Sequence, residues 1–266
     1  MRPFLLFTLY APLASWGDIA VGESRGSWDR PSRSAVLGLV AAALGVTRED
    51  QAAHDALDAG YGFAVRLDAA GAPLADYHTA QTVAESAVKR VRKERGAFSR
   101  AALFAAAPDR ETILSRRAYR QDAFATAALW ARGGARWALG ALAAALARPA
   151  FVPYAGRKAN ALGLPLAPEV VEAGTLAAAF AARPLVPRGL ADVPAAVRRA
   201  LAPGAREVAH DPCDADGFAS GLDALRRETR RDAGVQRARW QFATRVVEVG
   251  LLAGAPGVAD AIGGDA

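Results

Sequence analysis

An α+β fold built on an antiparallel sheet is predicted by three observations. Short apolar runs with strand-like alternation recur through residues 1–165, two alanine-rich segments there have helical spacing and end signals, and the elements follow the order β, α, β, β, β, α, β. The chain has 266 residues, 52% hydrophobic and 23% charged, which is enough to bury a core without disulfides or metals.

Residues 4–10 are apolar and aromatic without a helical period, which predicts a buried first strand. As a secretory signal the run is too short, is bracketed by Pro3 and Pro12, and is followed by Trp16-Gly17-Asp18 instead of a cleavage site. A loop rich in Gly, Ser and Trp fills residues 11–31, a length that is usually functional or mobile. A helix then starts at Ser32 or Ser34, carries Val36, Leu37, Val40 and Leu44 on its apolar face, and ends at Gly45. A short second helix covers 49–57. Phe63, Val65 and Leu67 alternate with Ala64, Arg66 and Asp68 as in a half-buried strand, with a turn at 71–73 and a partner strand at 77–83.

Residues 84–112 have weak periodicity and interrupt this pattern, as a projecting hairpin or arm that orders on its ligand would. Strand-like alternation returns over 123–130, with Phe124, Thr126, Ala128 and Trp130 on one face. Gly133-Gly134 precede a helix that packs Trp137, Leu139, Leu142 and Leu146 inward and stops at Arg148-Pro149, before a last strand at 151–154. This order contains the split βαβ unit of ferredoxin-like folds, the class that includes RNA-recognition modules. The organisation predicted is a ferredoxin-like RNA-binding domain over 1–165, with the basic arm inserted, and a smaller C-terminal α/β extension over 166–266. In the extension, 175–182 and 194–201 read as helices, 239–249 as a strand and 209–221 as a loop; there is no internal repeat.

The formal net charge is +6 and the pI about 10.0, a balance that favours a polyanionic partner, most commonly nucleic acid. The charge is local. Residues 85–120 hold ten basic side chains and four acidic ones, so this stretch alone has the excess of the whole chain. The single cysteine, Cys213, rules out an internal disulfide and fits a reducing compartment. No apolar run approaches the ~20 residues of a membrane span; the expectation is a cytoplasmic protein with no membrane contact.

The motifs with chemistry are basic and aromatic. Arg30-Pro31-Ser32-Arg33-Ser34 sits at a helix start, where free N–H groups and the helix dipole attract phosphate between two guanidinium groups; the spacing alone favours an ordinary capped helix with solvated arginines. Tyr77 and His78 are placed to stack on unpaired bases and Gln81 to bond a base edge, or else to be a packed Tyr and a satisfied His. Lys89, Arg90, Arg92 and Lys93 on the arm suit phosphate, as do Arg25, Arg116 and the Arg157-Lys158 pair after Gly156. Catalytic patterns are scarce. His54, His78 and His210 are too scattered for a metal site, and there is no Walker A, dinucleotide, HExxH or nucleophile-elbow motif. The Asp211–Gly217 stretch lacks the spacing and closing Glu of a calcium loop. No cofactor or metal is implied.

The block from Leu9-Tyr10-Ala11-Pro12-Leu13 to Trp16-Gly17-Asp18, followed by Arg30-Pro31-Ser32-Arg33-Ser34-Ala35-Val36-Leu37-Gly38-Leu39, resembles the CasD family, the fifth CRISPR-associated family in its type I-E form. Asp76-Tyr77-His78-Thr79-Ala80-Gln81, Gly156-Arg157-Lys158 and residues 231–247 fall in matching order, so the likeness spans most of the chain. It departs at Arg33, where the family commonly has Lys, and at Ala35, where Gly is common. The resemblance implies a non-catalytic, RAMP-type subunit of the Cascade complex that holds the 5′ handle of the CRISPR RNA (crRNA) under a thumb-like arm. The implied partners are the backbone subunit, the large subunit and, through the complex, target DNA. The alternative is a metal-independent endoribonuclease of CRISPR repeats using Tyr77, His78 and Lys89.

Overall fold

The computed structural model describes residues 1–17, 20, 22–96, 99–106, 110–186, 201, 204–239 and 241–255. Its elements in chain order are β1 (Arg2–Ala14), β2 (Trp16–Gly17), β3 (Ser24–Arg25), β4 (Ser27–Trp28), α1 (Arg33–Ala43), α2 (Gln51–Gly60), β5 (Tyr61–Ala69) and β6 (Ala72–Thr82). Then come α3 (Glu85–Arg95), α4 (Arg100–Ala106), β7 (Glu111–Ala131), α5 (Leu139–Ala147), β8 (Glu169–Ala173), α6 (Leu176–Ala182), β9 (Gly204–His210), β10 (Asp223–Gln236) and β11 (Gln241–Ala255).

Both faces of β1 are buried, so this strand lies at the centre of the fold. Leu5, Phe7 and Leu9 join the cluster formed with α1 and α5, while Phe4 and Leu6 join the opposite cluster around α6 and Phe180. The second half of β7 and β5 behave alike, which is why these strands read as near-continuous apolar runs, whereas β8 at the edge is mostly exposed. The sheet order β10-β11-β9-β5-β7-β1-β8 contains β5-β7-β1-β8, the ferredoxin-like four-strand core. The strands after residue 166 hydrogen-bond into the same sheet: β8 on β1, β9 on β5, then β11 and β10. Gly62 lies opposite Trp130, whose fully buried indole occupies the space a Cβ would need. The Trp130 indole N–H donates to Asp216 at 2.7 Å; truncating such a side chain costs about 3–5 kcal/mol.

Asp122 divides β7. Its φ of 52° is left-handed backbone, and its carboxylate accepts from the Tyr10 hydroxyl at 2.9 Å. Burial first, then this carboxylate, pushes the Tyr10 phenol up to about 12. Residues 123–131 stay in the core between β1 and β5. Residues 111–121 pair with β6 over its whole length, from Ala72 opposite Gln121 to Thr82 opposite Glu111, and run out as a ribbon tipped by α3 and α4.

Four expectations change. The strand at 77–83 does not pair with β5; it is part of β6 and pairs with the first half of β7. The arm is not irregular but contains two helices, whose pattern is weak because they bury little; among the described side chains of the two helices only Val91 is deeply buried. Residues 151–154 form a single bridge, Tyr154 to Ala161, not a strand. The long loop is partly ordered by the β2–β4 pair and by β3 lying parallel to β7. The expected helix at 194–201 lies, but for Leu201, outside the described residues.

Candidate nucleic-acid interface

A β-ribbon gives each of its faces alternate residues. On β6 and β7 this separates side chains that are adjacent in sequence. Tyr77, 65% exposed, lies opposite Arg116, with Gln81 and Thr112 further along the same face. His78 points to the other face, opposite Ser115, with Asp76 opposite Arg117 beside it; His78 Nδ1 is 3.3 Å from the Asp76 carboxylate and Arg117 donates to the Ser115 hydroxyl at 3.2 Å. Arg25 is brought in by β3, next to Arg117, with its guanidinium bonded to the carbonyls of Gly22 and Ser24. Tyr119 shares the His78 face, and Arg157 stacks on its ring at 4.4 Å. The Arg157 Nη1 is buried without a hydrogen-bond partner, whereas Lys158 is exposed.

The ribbon's tip carries the densest charge. Arg90, Arg92 and Lys93 on α3 are exposed, with no ion pair to any described residue, while Lys89 is held by Glu85 at 2.9 Å one turn away. An exposed pair of that kind is worth a few tenths of a kcal/mol and yields readily to phosphate. Ribbon and tip together offer cations and rings on both faces, which suits a flexible polyanion laid across or around the arm.

The start of α1 is organised differently from the expected phosphate cradle. Ser32 caps the helix by accepting from the Ala35 N–H, and the free Arg33 N–H donates to Asp232 at 2.8 Å. The anion at this helix N-terminus is thus the chain's own carboxylate. Arg33 is buried, bonded to Asp58 and the Tyr61 carbonyl, and 3.4 Å from Asp211. Asp211 in turn pairs with Arg132 (3.1 Å) and Arg245 (2.6 Å), and Arg245 with Asp232 (2.6 Å). Arg30 is buried as well, with both Glu228 oxygens at 2.8 and 2.9 Å and Glu207 at 3.2 Å. Hydrogen bonds from Arg226, then its charge and that of Arg30, hold the Glu207 carboxyl below its ordinary range, against burial; Glu228 is lowered by the same two arginines despite its own burial. Arg30 and Arg33 therefore tie β9 and β10 to the start of α1, and their charges are matched inside the protein. Ser34 contacts the Ser32 hydroxyl at 3.1 Å and lines a groove beside α1.

Gly156 also has a different reason from the one expected. At φ 82° it passes so close to the Ser15 carbonyl that a Cβ would overlap it; the close approach is to the chain itself. Tyr77 and His78 lie on opposite faces of the ribbon, and Lys89 on a helix beyond it. Cys213 is buried beside His210, and burial followed by the carboxylates of Glu248, Asp216, Asp211 and Asp214 pushes its thiol up to about 12. Among the described residues no group of three or more His, Cys, Asp or Glu is arranged to hold a metal ion, and no helix is long and apolar enough to cross a membrane.

The family model described as CRISPR-associated protein (Cas_Cas5) matches residues 4–248. The chain belongs to this CRISPR-associated Cas5 family. It is 33% identical over 174 residues to the CRISPR system Cascade subunit CasD of Escherichia coli (strain K12), covering 62% of this chain and 70% of that protein. A chain of a solved CRISPR RNA-guided surveillance complex superposes with TM-score 0.61 at 23% identity, covering 96% of this chain and 92% of the other. A second solved structure, a Cas protein, gives TM-score 0.53 at 24% identity, with 94% and 95% covered. The ferredoxin-like fold of this Cas5 chain is shared with both.

Sequence reasoning missed Arg117 and Tyr119, which complete the His78 face. Their period-2 spacing with Ser115 was visible, but only the pairing with β6 gives that period a meaning. It also missed Trp28, Tyr154 and Arg230, which come from three distant segments and meet only in the folded Cas5 chain.

Proposed function

We propose that this chain is a non-catalytic, cytoplasmic subunit of a type I-E Cascade surveillance complex that holds the 5′ handle of the crRNA and contacts the backbone and large subunits, meeting target DNA only through the assembly. The observation that carries this reading is the β6–β7 ribbon. It projects from a rigid sheet, exposes Tyr77 on one face and His78 on the other, and ends in Arg90, Arg92 and Lys93, whose charges have no internal partner among the described residues. Membership of the Cas5 family and likeness to a Cascade subunit support the same assignment. Arg25, Arg116, Arg157 and Lys158 extend the surface toward the sheet. Gln81 supplies an amide on the Tyr77 face for a base edge.

The test is co-expression of the tagged chain with companion Cascade subunits and a repeat-spacer RNA. Guide RNA and companions are expected to co-purify, and the Arg90→Gln/Arg92→Gln/Lys93→Gln triple variant is expected to lower the log–log salt slope of RNA binding by about 2, at about 0.7 per phosphate contact. Absence of both RNA and companions from the purified material refutes the proposal. Incubation with repeat RNA in EDTA addresses the catalytic part: specific cleavage lost in His78→Ala would replace it with the nuclease reading.

A further inference from the structure

Beside α1 a groove of about 970 Å³ opens between the helix and the β10–β11 hairpin. Ser34, Ala35, Gly38 and Leu39 form one wall, the loop residues Pro153, Tyr154 and Gly156 another, and Thr229 to Asp232 with Gln241 and Phe242 the third. The volume is that of a small-molecule site, more than enough for one nucleotide.

Arg230 is its distinctive group. The side chain is 94% buried, its guanidinium lies 3.9 Å above the Trp28 ring, and its Nη2 has no hydrogen-bond partner. Burial pushes its pKa below the ordinary guanidinium value, against the pull of Asp232 and Glu228. A buried cation with an orphaned N–H costs free energy unless an oxygen acceptor meets it, and a phosphate oxygen is the strongest such acceptor for Arg. The lining carboxylate, Asp232, is already bonded to the Arg33 N–H and to Arg245, so it does not neutralise the groove. Arg231, exposed, adds a second cation at the mouth.

The remaining walls suit a base. Tyr154 is 38% exposed and offers a ring face, while the Ser34 and Thr229 hydroxyls and the Gln241 amide offer donors and acceptors for a base edge. One step of the chain links the groove to the ribbon, since Gly156 lines it and the next residue, Arg157, stacks on Tyr119 of β7.

We infer that this groove is a pocket for a single unstacked nucleotide of the bound RNA, with its phosphate on Arg230 and its base against Tyr154. The inference rests on the RNA-holding reading above and adds a second, separate contact point to it. RNA is favoured over a partner peptide because the unmatched group is a buried guanidinium, and hydroxyls, an amide and flat rings are set among the apolar Ala35, Leu39 and Pro153, a mixture that suits a base and its phosphate.

The experiment uses the assembled complex carrying guide RNAs with 4-thiouridine at one position at a time along the 5′ segment. One position, and no run of positions, is expected to crosslink to peptides containing Tyr154 or Trp28. The crosslink is expected to vanish in Arg230→Met and in the exposed-site variant Tyr154→Ala, and to persist in the arm triple variant. Tyr154→Ala keeps the test valid if Arg230→Met fails to fold, and is expected to weaken RNA binding about 5- to 150-fold, the range for losing one base stack. RNA that is retained without any crosslink in the groove, or a groove that crosslinks to a neighbouring subunit's peptide, overturns the inference. Adenosine and uridine 5′-monophosphates titrated onto the isolated chain separate the two levels. Binding lost in Arg230→Met by a chain that holds no guide RNA keeps the pocket and refutes the assembly reading; binding of neither refutes both.

Discussion

Replacing Arg33 by Met decides whether the arginine at the start of α1 is a strut or an RNA ligand. The side chain is 4% exposed and its guanidinium is surrounded by Asp58, Asp211 and the Tyr61 carbonyl. Removing one partner of a buried pair costs about 3–5 kcal/mol because the other charge is left behind. Two features place this case at the lower end. Asp211 keeps Arg132 at 3.1 Å and Arg245 at 2.6 Å, and the Asp58 side chain is 30% exposed, so water can take over part of its solvation. A loss of about 3 kcal/mol then corresponds to a Tm lower by about 6–12 °C for a chain of this size. Differential scanning fluorimetry of the isolated chain reads this directly, with Arg92→Gln as a surface control expected to move Tm by less than about 2 °C. If Arg33→Met leaves Tm where the control does but abolishes RNA retention, Arg33 is a ligand and the ion network described here is not what holds α1 to β10.

Three other outcomes follow from the same geometry. Tyr77→Ala is expected to weaken RNA binding by about 1–3 kcal/mol, measured by filter binding, with stability changed by no more than about 0.5 kcal/mol since the ring is exposed; unchanged affinity removes Tyr77 from the interface. Cys213, with its thiol pushed up to about 12, should have about one thiolate in ten thousand at pH 8 and resist iodoacetamide until denaturant is added, a contrast mass spectrometry will show or deny. Glu207 and Glu228 have carboxyls lowered in the folded chain. Their contribution is complete above the unfolded carboxylate value of about 4.3 and is lost as pH falls through the lower folded values. Tm measured between pH 7 and 3 should fall more steeply for the wild-type chain than for Glu207→Gln, and parallel curves would contradict the pairing with Arg30 and Arg226.

Much of the scaffold was legible because it rests on local rules. Ser32 as cap and Gly45 as terminator bracket α1 as expected, and Leu139, Leu142 and Leu146 pack inward at helical spacing. The arm was found by its charge and by its break in the strand pattern, although its helices were not, since a helix with little buried surface leaves little apolar periodicity to read. The strand at 151–154 was misread because a short apolar run with an aromatic end has the composition of a strand whether or not a neighbour is there to pair with it.

By itself the sequence determined the core elements β1, α1, α2, β5, the second half of β7 and α5, the concentration of positive charge between residues 85 and 120 and, through its motif blocks, the family. These depend on residue type and near spacing. Only the tertiary structure decided which arginines are available. Arg30 and Arg33 look like a phosphate cradle along the chain, yet Glu207, Glu228, Asp211 and Asp232 arrive from some 200 residues away to neutralise them. The same folding separates Tyr77 from His78, because adjacent strand residues must face opposite sides, and leaves Arg230 buried with an unmet N–H. A charge is free for RNA only if the fold brings no carboxylate to it, and sequence spacing does not encode that.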